Sequence, residues 1–456
     1  MLKEYLLAVL VIFCYWSQVD AARILVYIPT PSISHQVIPR PLVQELVKRG
    51  HEVTLVTTDP SYEKGKAPAN LTEIDVHDIS YRHFEDILLQ HNGNPSIDLG
   101  HAVKTFNRFS TTADLQLQTP ELQEILRKPK DYFDVLILEA CNRVTMGLSE
   151  KFEAPVIQLS SLGMVSSHYG YLGAPSHPFL FPAFYNQRLY NLSRWEKVSL
   201  IIKDLIFNYL IDYTMEFDIN IIRKHFGRNT DVNKLGRNIK LLLLNEHPIW
   251  ADNRPIPPNI KYIGGIHQTP DTELPKELKS FLDSSKNGVI YMSLGTNVIT
   301  SILPEDIKKN LFEVFSKLPY DILLKWDDDE IPNQPSNVRV QKWYPQSTLL
   351  KHPKIKLFIT QGGLQSTDEA IDAGVPLLAI PMLGDQWYNA EKYVRHKIGL
   401  KLDVHELKED VFHNAITTLI ADTRIYPLRI IIIKVNEASP SISHNLFTLR
   451  KIYHTY

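Results

Sequence analysis

Residues 23–57 read RILVYIPTPSISHQVIPRPLVQELVKRGHEVTLVT, and this stretch decides the fold class. Arg23 to Ile28 is an apolar, β-rich run, followed by a loop over 29–34. From Pro39 onward Leu42, Val43, Leu46 and Val47 recur at helical spacing, and Gly50 stops the helix. A second β-rich run, Val53 to Thr57, comes directly after. Strand, helix and strand joined by a tight glycine turn is the opening of a parallel α/β sheet. Residues 135–138 and 155–159 read as further buried strands of that sheet.

The same rhythm appears twice. Between 255 and 282 the chain carries Pro255, Pro257, Pro258, Pro270, Pro275 and the pair Gly264-Gly265, a density expected of a linker. Beyond it, residues 289–292, 322–326, 338–343, 355–360 and 377–380 read as strands, with a helix over 306–318. The division expected is a first lobe over 22–250, a linker over 251–285, a second lobe over 286–425 and a tail over 426–456. Two α/β lobes make a cleft, and ligands bind such folds at the carboxyl ends of strands. A long helix is expected from Trp195 to Phe226. Its residues Val198, Ile202, Leu205, Tyr209 and Tyr213 fall near one face, read as core-facing, with peripheral contact at a membrane surface as the alternative.

Composition narrows the function classes. Of 456 residues, 44% are hydrophobic and 22% charged, with a formal net charge of -2, so neither disorder nor a nucleic-acid partner is indicated. Lys3 precedes an apolar run over 6–16, and Val19-Asp20-Ala21 offers small residues where a signal peptidase cuts. Residues 1–21 therefore read as a signal peptide, which implies the endoplasmic reticulum lumen or export. The sequons Asn70-Leu71-Thr72 and Asn191-Leu192-Ser193 fit that route. With Cys14 in the leader, Cys141 remains alone and no internal disulfide is expected. No later run reaches the roughly 20 apolar residues needed to span a bilayer.

The densest chemistry lies in residues 343–386, WYPQSTLLKHPKIKLFITQGGLQSTDEAIDAGVPLLAIPMLGDQ. A strand ends at Thr360, Gln361-Gly362-Gly363 turns the chain, and a helix opens around Ser366. A glycine pair before a helix start lets backbone N–H groups approach an anion, aided by about half a positive charge from the helix dipole. On its own that arrangement is also an ordinary strand–helix turn.

Trp343, Gln346, Ser366, Glu369, Asp385 and Gln386 stand at fixed offsets that closely resemble the donor-binding signature of the UDP-glycosyltransferase family. The resemblance implies a GT-B-type fold, two Rossmann-like domains facing each other across a cleft. It also implies that Trp343 stacks on uracil, Gln346 contacts the base and Ser366 holds phosphate. Glu369 would bind the ribose hydroxyls, and Asp385 with Gln386 would grip the donated sugar. Gln361 stands where many members have a histidine that contacts the diphosphate. Upstream, Ser293-Leu294-Gly295-Thr296 follows a strand and resembles the family's second phosphate loop.

A lone histidine is more often structural than catalytic, but His35 falls just past the first strand, at the end facing a cleft. The resemblance implies that it is the general base for the acceptor hydroxyl. Such a base needs an acidic partner. Where family members place an aspartate this chain has Glu139, with Asp134 at the strand's other end as the fallback. The reaction implied is a single displacement inverting the anomeric centre. It needs neither metal nor cofactor, because UDP-glucose or another UDP-sugar is a co-substrate. The acceptor is a small lipophilic molecule, with the apolar residues of 168–190 as candidate lining. The match is nearest the insect branch, which looks like glucose transferases acting on plant compounds, pigments or ecdysteroids. It runs to about Thr423; family members continue into crossing helices and a membrane anchor that the last residues do not resemble. The rival reading is a catalytically weak, UDP-binding partner that forms homo- or hetero-oligomers with full-length relatives.

Overall fold

Apolar runs of five or six residues, too short for buried helices, become strands with both faces covered. In a computed structural model the described residues are 21–90, 99–164, 166–228, 230–268, 273–300, 303–328, 331 and 334–422. The leader up to residue 20 and the tail over 426–456 lie outside them.

The first sheet consists of β1 (Arg23–Tyr27), β2 (Glu52–Thr57), β3 (Leu71–Asp75), β4 (Val135–Glu139), β5 (Val156–Ser160), β6 (Ile239–Leu244) and β7 (Ile260–Tyr262). Their spatial order is β3-β2-β1-β4-β5-β6-β7. The second contains β8 (Val289–Ser293), β9 (Asp321–Lys325), β10 (Val338–Gln341), β11 (Ile355–Thr360), β12 (Leu377–Ala379) and β13 (Gly399–Lys401), in the order β10-β9-β8-β11-β12-β13. Every neighbouring pair is parallel.

Alternation along the strands divides the first core in two. Leu25, Tyr27, Leu136 and Leu138 pack one way, onto Ala113, Leu117, Leu122 and Ile125. Ile24, Val26, Val135 and Ile137 pack the other way, onto Leu42 and Val43. Each such side chain, fully buried, contributes about 1.5–3 kcal/mol. The stretch read as a linker, 251–285, holds β7, the edge strand of the first sheet, and the helix Lys276–Ser284.

One helix of the second lobe, Gln386–Arg395, forms much of the seam with the first. Trp250 and Leu189 enter the same apolar cluster as Tyr388 and Tyr393. Trp250 Nε1 donates to Asn389 Oδ1 at 2.8 Å, Leu189 N to Glu391 Oε2 at 3.1 Å, and Lys392 Nζ to Asp252 Oδ2 at 2.7 Å.

The long helix Arg194–Phe226 is capped by reciprocal bonds between Ser193 and Glu196. Its orientation corrects the sequence reading. Val198, Ile202, Leu205, Tyr209 and Tyr213 face solvent, while Leu200, Phe207, Ile211, Thr214, Ile221 and Ile222 are buried. Phe207 meets Phe106 of the helix Leu99–Leu117 with ring centroids 5.9 Å apart. The segment has two apolar faces, and packing against that neighbouring helix selects the one that periodicity alone did not favour.

The Lys392 ammonium is fully buried against Asp252. Removing one member of such a pair strands the other, at a cost of about 3–5 kcal/mol. Lys392→Ala should lower thermal stability by that order in a denaturation experiment. Adding Asp252→Asn to Lys392→Met should recover most of the loss.

Candidate active site

Parallel sheets open a crevice where neighbouring strands send the following chain to opposite faces. In the first sheet that point lies between β1 and β4, and in the second between β8 and β11. His35 sits in the short helix Ile33–Gln36 beyond β1, and Glu139 ends β4. Ser293 ends β8, and Gln361, Gly362 and Gly363 follow β11. All four candidate segments thus emerge at the two crevices.

Glu139 is only 2% exposed. Thr30 N and Thr30 Oγ1 donate to its Oε2 at 3.1 and 2.6 Å, and His35 Nδ1 meets its Oε1. A proton on Nδ1 donated to Glu139 leaves Nε2 as the ring nitrogen that faces away from the pair. Among the described residues Nε2 takes no hydrogen bond. Ser161 Oγ lies 3.0 Å from Nδ1 and steadies the ring. Asp134 is at the far end of the strand, where its Oδ2 accepts from Arg23 N at 2.7 Å.

In the second lobe the β8 loop and the β11 turn touch. Gly295 has φ +77°, a backbone conformation that favours glycine, and a Cβ there would lie 2.0 Å from Gln361 Nε2, so a larger residue would also have to displace that amide. Gln361 is buried, and its Oε1 has no partner among the described residues. Lys325 Nζ donates to Gly295 O at 2.5 Å and lies 5.7 Å from the centroid of the Trp343 ring. Thr296, after Gly295, belongs to the same loop. The Trp343 indole is 62% exposed, which leaves a face open to a flat ligand.

Gln346, Ser366 and Glu369 form one cluster. Gln346 Nε2 donates to Ser366 Oγ at 2.9 Å and to Glu369 Oε2 at 2.7 Å. Burial pushes the Glu369 carboxyl up to about 7, against the Gln346 hydrogen bond and the Lys351 charge. His267, which the sequence reading missed, places Nε2 3.9 Å from Glu369 Oε1, and burial holds its imidazole down at about 4. It arrives there because Gly265 N and Gln268 Nε2 donate to Asp368 Oδ2 and Asp368 O.

Asp385 and Gln386 are braced from within. Gln386 Oε1 accepts from Met382 N and Leu383 N, both at 2.7 Å. Asn389 Nδ2 donates to Asp385 Oδ2 and to Gly362 O, both at 2.8 Å. Burial pushes the Asp385 carboxyl up, while that hydrogen bond and the nearby His35 imidazole pull it back. His35 therefore lies close enough to act electrostatically on the opposite lobe. Gln365 Nε2 also crosses the gap, reaching Ser34 O at 3.2 Å and Ser161 O at 3.3 Å. Asn297 Nδ2 donates to Ser32 Oγ at 3.1 Å. The two loop sets are one site.

Residues 22–433 match the family described as UDP-glucoronosyl and UDP-glucosyl transferase. The chain belongs to that family. It is 34% identical, over 86% of its own length and 80% of the relative's, to an ecdysteroid UDP-glucosyltransferase of Spodoptera littoralis nuclear polyhedrosis virus. Its identity to UDP-glucosyltransferase 2 of Dactylopius coccus is 30%, covering 92% and 81% of the two chains. Among solved structures it resembles the spinosyn forosaminyltransferase SpnP, with TM-score 0.64, 17% identity and coverage of 95% and 99%. A Polygonum tinctorium UDP-glucosyltransferase gives TM-score 0.63 at 15% identity, covering 96% and 100%. These structures share the GT-B fold with this chain. The enzyme is a UDP-glycosyltransferase, moving sugar from a UDP-sugar to an acceptor.

The segment 168–190, read as candidate acceptor lining or core, divides between packing and exposure, with Tyr171 and Leu180 exposed. Tyr169 is buried beside Met164, and Tyr185 stacks on Phe207 at 3.8 Å. His168 Nε2 bonds Gln158 Oε1 at 2.7 Å, and burial lowers its imidazole to about 4.

Asn389 has its whole amide committed, to Asp385, to Gly362 and to Trp250 of the first lobe. Asn389→Ala in this glycosyltransferase should cost about 2–4 kcal/mol by stranding buried polar partners. It should also raise the UDP-sugar KM, seen in parallel melting and initial-rate measurements.

Proposed function

We propose that this enzyme transfers glucose from UDP-glucose to a hydroxyl of a small lipophilic acceptor, with inversion, using His35 as general base. The observation that carries this reading is the His35–Glu139 pair, held in one orientation near Asp385 of the second lobe. His35 Nε2 takes the acceptor proton as the acceptor oxygen attacks the anomeric carbon. The bond from that carbon to the β-phosphate oxygen breaks, and its electron pair leaves on UDP. Glu139 stabilises the imidazolium that forms.

On the donor side, Trp343 stacks on uracil and Gln346 contacts it. Glu369 accepts from the ribose hydroxyls. Ser293, Gly295, Thr296, Gln361, Gly362, Gly363 and Ser366 surround the diphosphate, where loop N–H groups and the helix start oppose developing charge. Asp385 grips the sugar. Gln386 does so through its amide nitrogen, since its oxygen already holds the 382–383 backbone. The first lobe, 22–250, takes the acceptor, and the second, 286–425, takes the donor.

Support for glucose and for a lipophilic acceptor comes from the relatives, named as UDP-glucosyltransferases and, in the viral cases, as acting on ecdysteroids. The rival reading of a UDP-binding partner is not favoured, because the base, its acidic partner and the donor cluster are all present. The proposed setting is the endoplasmic reticulum lumen or the secretory route. Of the two sequons, Asn191 is exposed, whereas the Asn70 amide already donates to Val47 O and His51 O.

With UDP-glucose and a panel of phenols and steroids, His35→Ala and Glu139→Gln should each lower kcat by about 10²–10⁴-fold, with UDP affinity unchanged. Turnover preserved in His35→Ala, or UDP-glucuronic acid used in preference to UDP-glucose, would overturn the assignment.

Glu369 gives a second handle. The ionised carboxylate accepts from a diol better than the neutral acid, and its free-state value lies at about 7. Calorimetry should show UDP binding weakest below about pH 6, strengthening through pH 7 and levelling near pH 8 with proton release. Glu369→Gln should flatten that slope. Asp368, pushed up to about 8 by burial, faces Gly265 instead and should leave the slope in place when replaced by Asn.

A further inference from the structure

Beside the donor cluster lies a buried imidazole with no settled partner. His267 exposes only 4% of its side chain, and neither ring nitrogen completes a hydrogen bond among the described residues. Interior polar groups are nearly always paired, and one that is not destabilises the free protein. The ring is held in that position from two sides. Gly264 N donates to Glu246 O at 3.1 Å, and a Cβ at 264 would come within 2.7 Å of the Glu246 backbone. On the opposite side Gly265 N and Gln268 Nε2 donate to Asp368 Oδ2 and O at 3.2 and 3.0 Å. The turn is wedged between the chain just beyond β6 and the helix Leu364–Ala373, and it delivers His267 to Glu369. The backbone of Gln365, on the same helix, also faces the ring.

We propose that His267 is a positioning residue for Glu369, its Nε2–H closing on Oε1 when the ribose hydroxyls of UDP engage the carboxylate. The inference rests on the donor reading given above. Nε2 lies 3.9 Å from Oε1, about 1 Å beyond hydrogen-bond length and within reach of a small side-chain rotation. An ionised carboxylate has about four acceptor positions. Gln346 Nε2 takes one on Oε2 at 2.7 Å and His267 takes one on Oε1, leaving one on each oxygen for a vicinal diol. Burial keeps the imidazole neutral, held down at about 4, so it orients the carboxylate as a dipole rather than as a counter-charge. A neutral ring has one N–H, and an ionised carboxylate beside Nε2 favours it there. The other charged groups around the pair are engaged elsewhere. Lys351, at the end of the helix Gln346–Leu350, pairs with Asp372 at 3.0 Å, Asp368 faces Gly265, and Glu246 lies beyond Asp368.

Calorimetry at about pH 8, where Glu369 is largely ionised, tests the assignment with two ligands: UDP, and dideoxyuridine diphosphate, which lacks both ribose hydroxyls. His267→Leu should weaken UDP binding about tenfold or more and leave the dideoxy compound within about twofold. His267→Gln, whose amide nitrogen stands near the Nε2 position, should recover most of the loss. His267→Asn, whose amide stands nearer Nδ1, should not. With Glu369→Gln already in place, His267→Leu should have no further effect. Unchanged UDP binding in His267→Leu overturns the proposal. So does equal weakening of both ligands, full additivity with Glu369→Gln, or a His267→Gln no better than His267→Asn; each of these leaves the ring a packing role. Failure of the donor reading shows separately, as a Glu369→Gln variant that binds UDP as tightly as the unaltered enzyme, and the proposal then falls with it.

Discussion

A carboxylate buried at the end of a central strand is the constraint on which the first half of the site depends. A carboxyl group with so little exposure is tolerable only if its oxygens have hydrogen-bond partners. Thr30 supplies two, one from backbone and one from side chain, and His35 supplies the third. Those bonds require the chain beyond β1 to fold back over β4. Gln36 ties the same loop down from behind, donating to Ile28 O and Thr30 O while accepting from Thr57 Oγ1. The imidazole therefore has one orientation before any substrate arrives, which lowers the cost of ordering it in the reaction.

The second half is built by close approach more than by charge. Gly295, at positive φ, lets the Gln361 amide pack directly on its backbone, and Asn389 pins the neighbouring turn. Asn389 also holds Trp250, and Gln365 reaches Ser34 and Ser161. The geometry of the donor turn and the placement of the first lobe are thus settled by shared residues. A shift between lobes would disturb the site even with every individual loop intact, which is why lobe contacts belong to the chemistry of a GT-B enzyme.

Much of this was legible in the chain. Apolar runs and glycine stops located β1, β2, β4 and β5, and five of the six strands in the second sheet. β3, β6, β7 and β13 went unread: the first alternates too weakly, and the last two have three residues each. Motif spacing located the donor cluster because its members lie on consecutive elements of one lobe. His267, Gln365, Asn389 and Lys325 were missed for the opposite reason. Their partners are distant in sequence, and nothing in a lone histidine or glutamine announces a contact across a cleft. The long helix failed differently. Periodicity identifies an apolar face but not which of two faces the neighbours will cover.

Gln361 shows how such local substitutions redistribute electrostatic work. An amide at this position cannot become cationic, so on the proposed reading the diphosphate is met by dipoles: loop N–H groups, the start of the helix Leu364–Ala373 and the Ser366 hydroxyl. Dipoles do not titrate near neutrality. Two groups on that helix that burial raises towards neutrality, Glu369 and its neighbour Asp368, face the cluster around Gln346 and the linker at Gly265. On that reading the protein groups that meet the diphosphate do not titrate near neutrality, and the protein's own pH response lies at the ribose end of the donor.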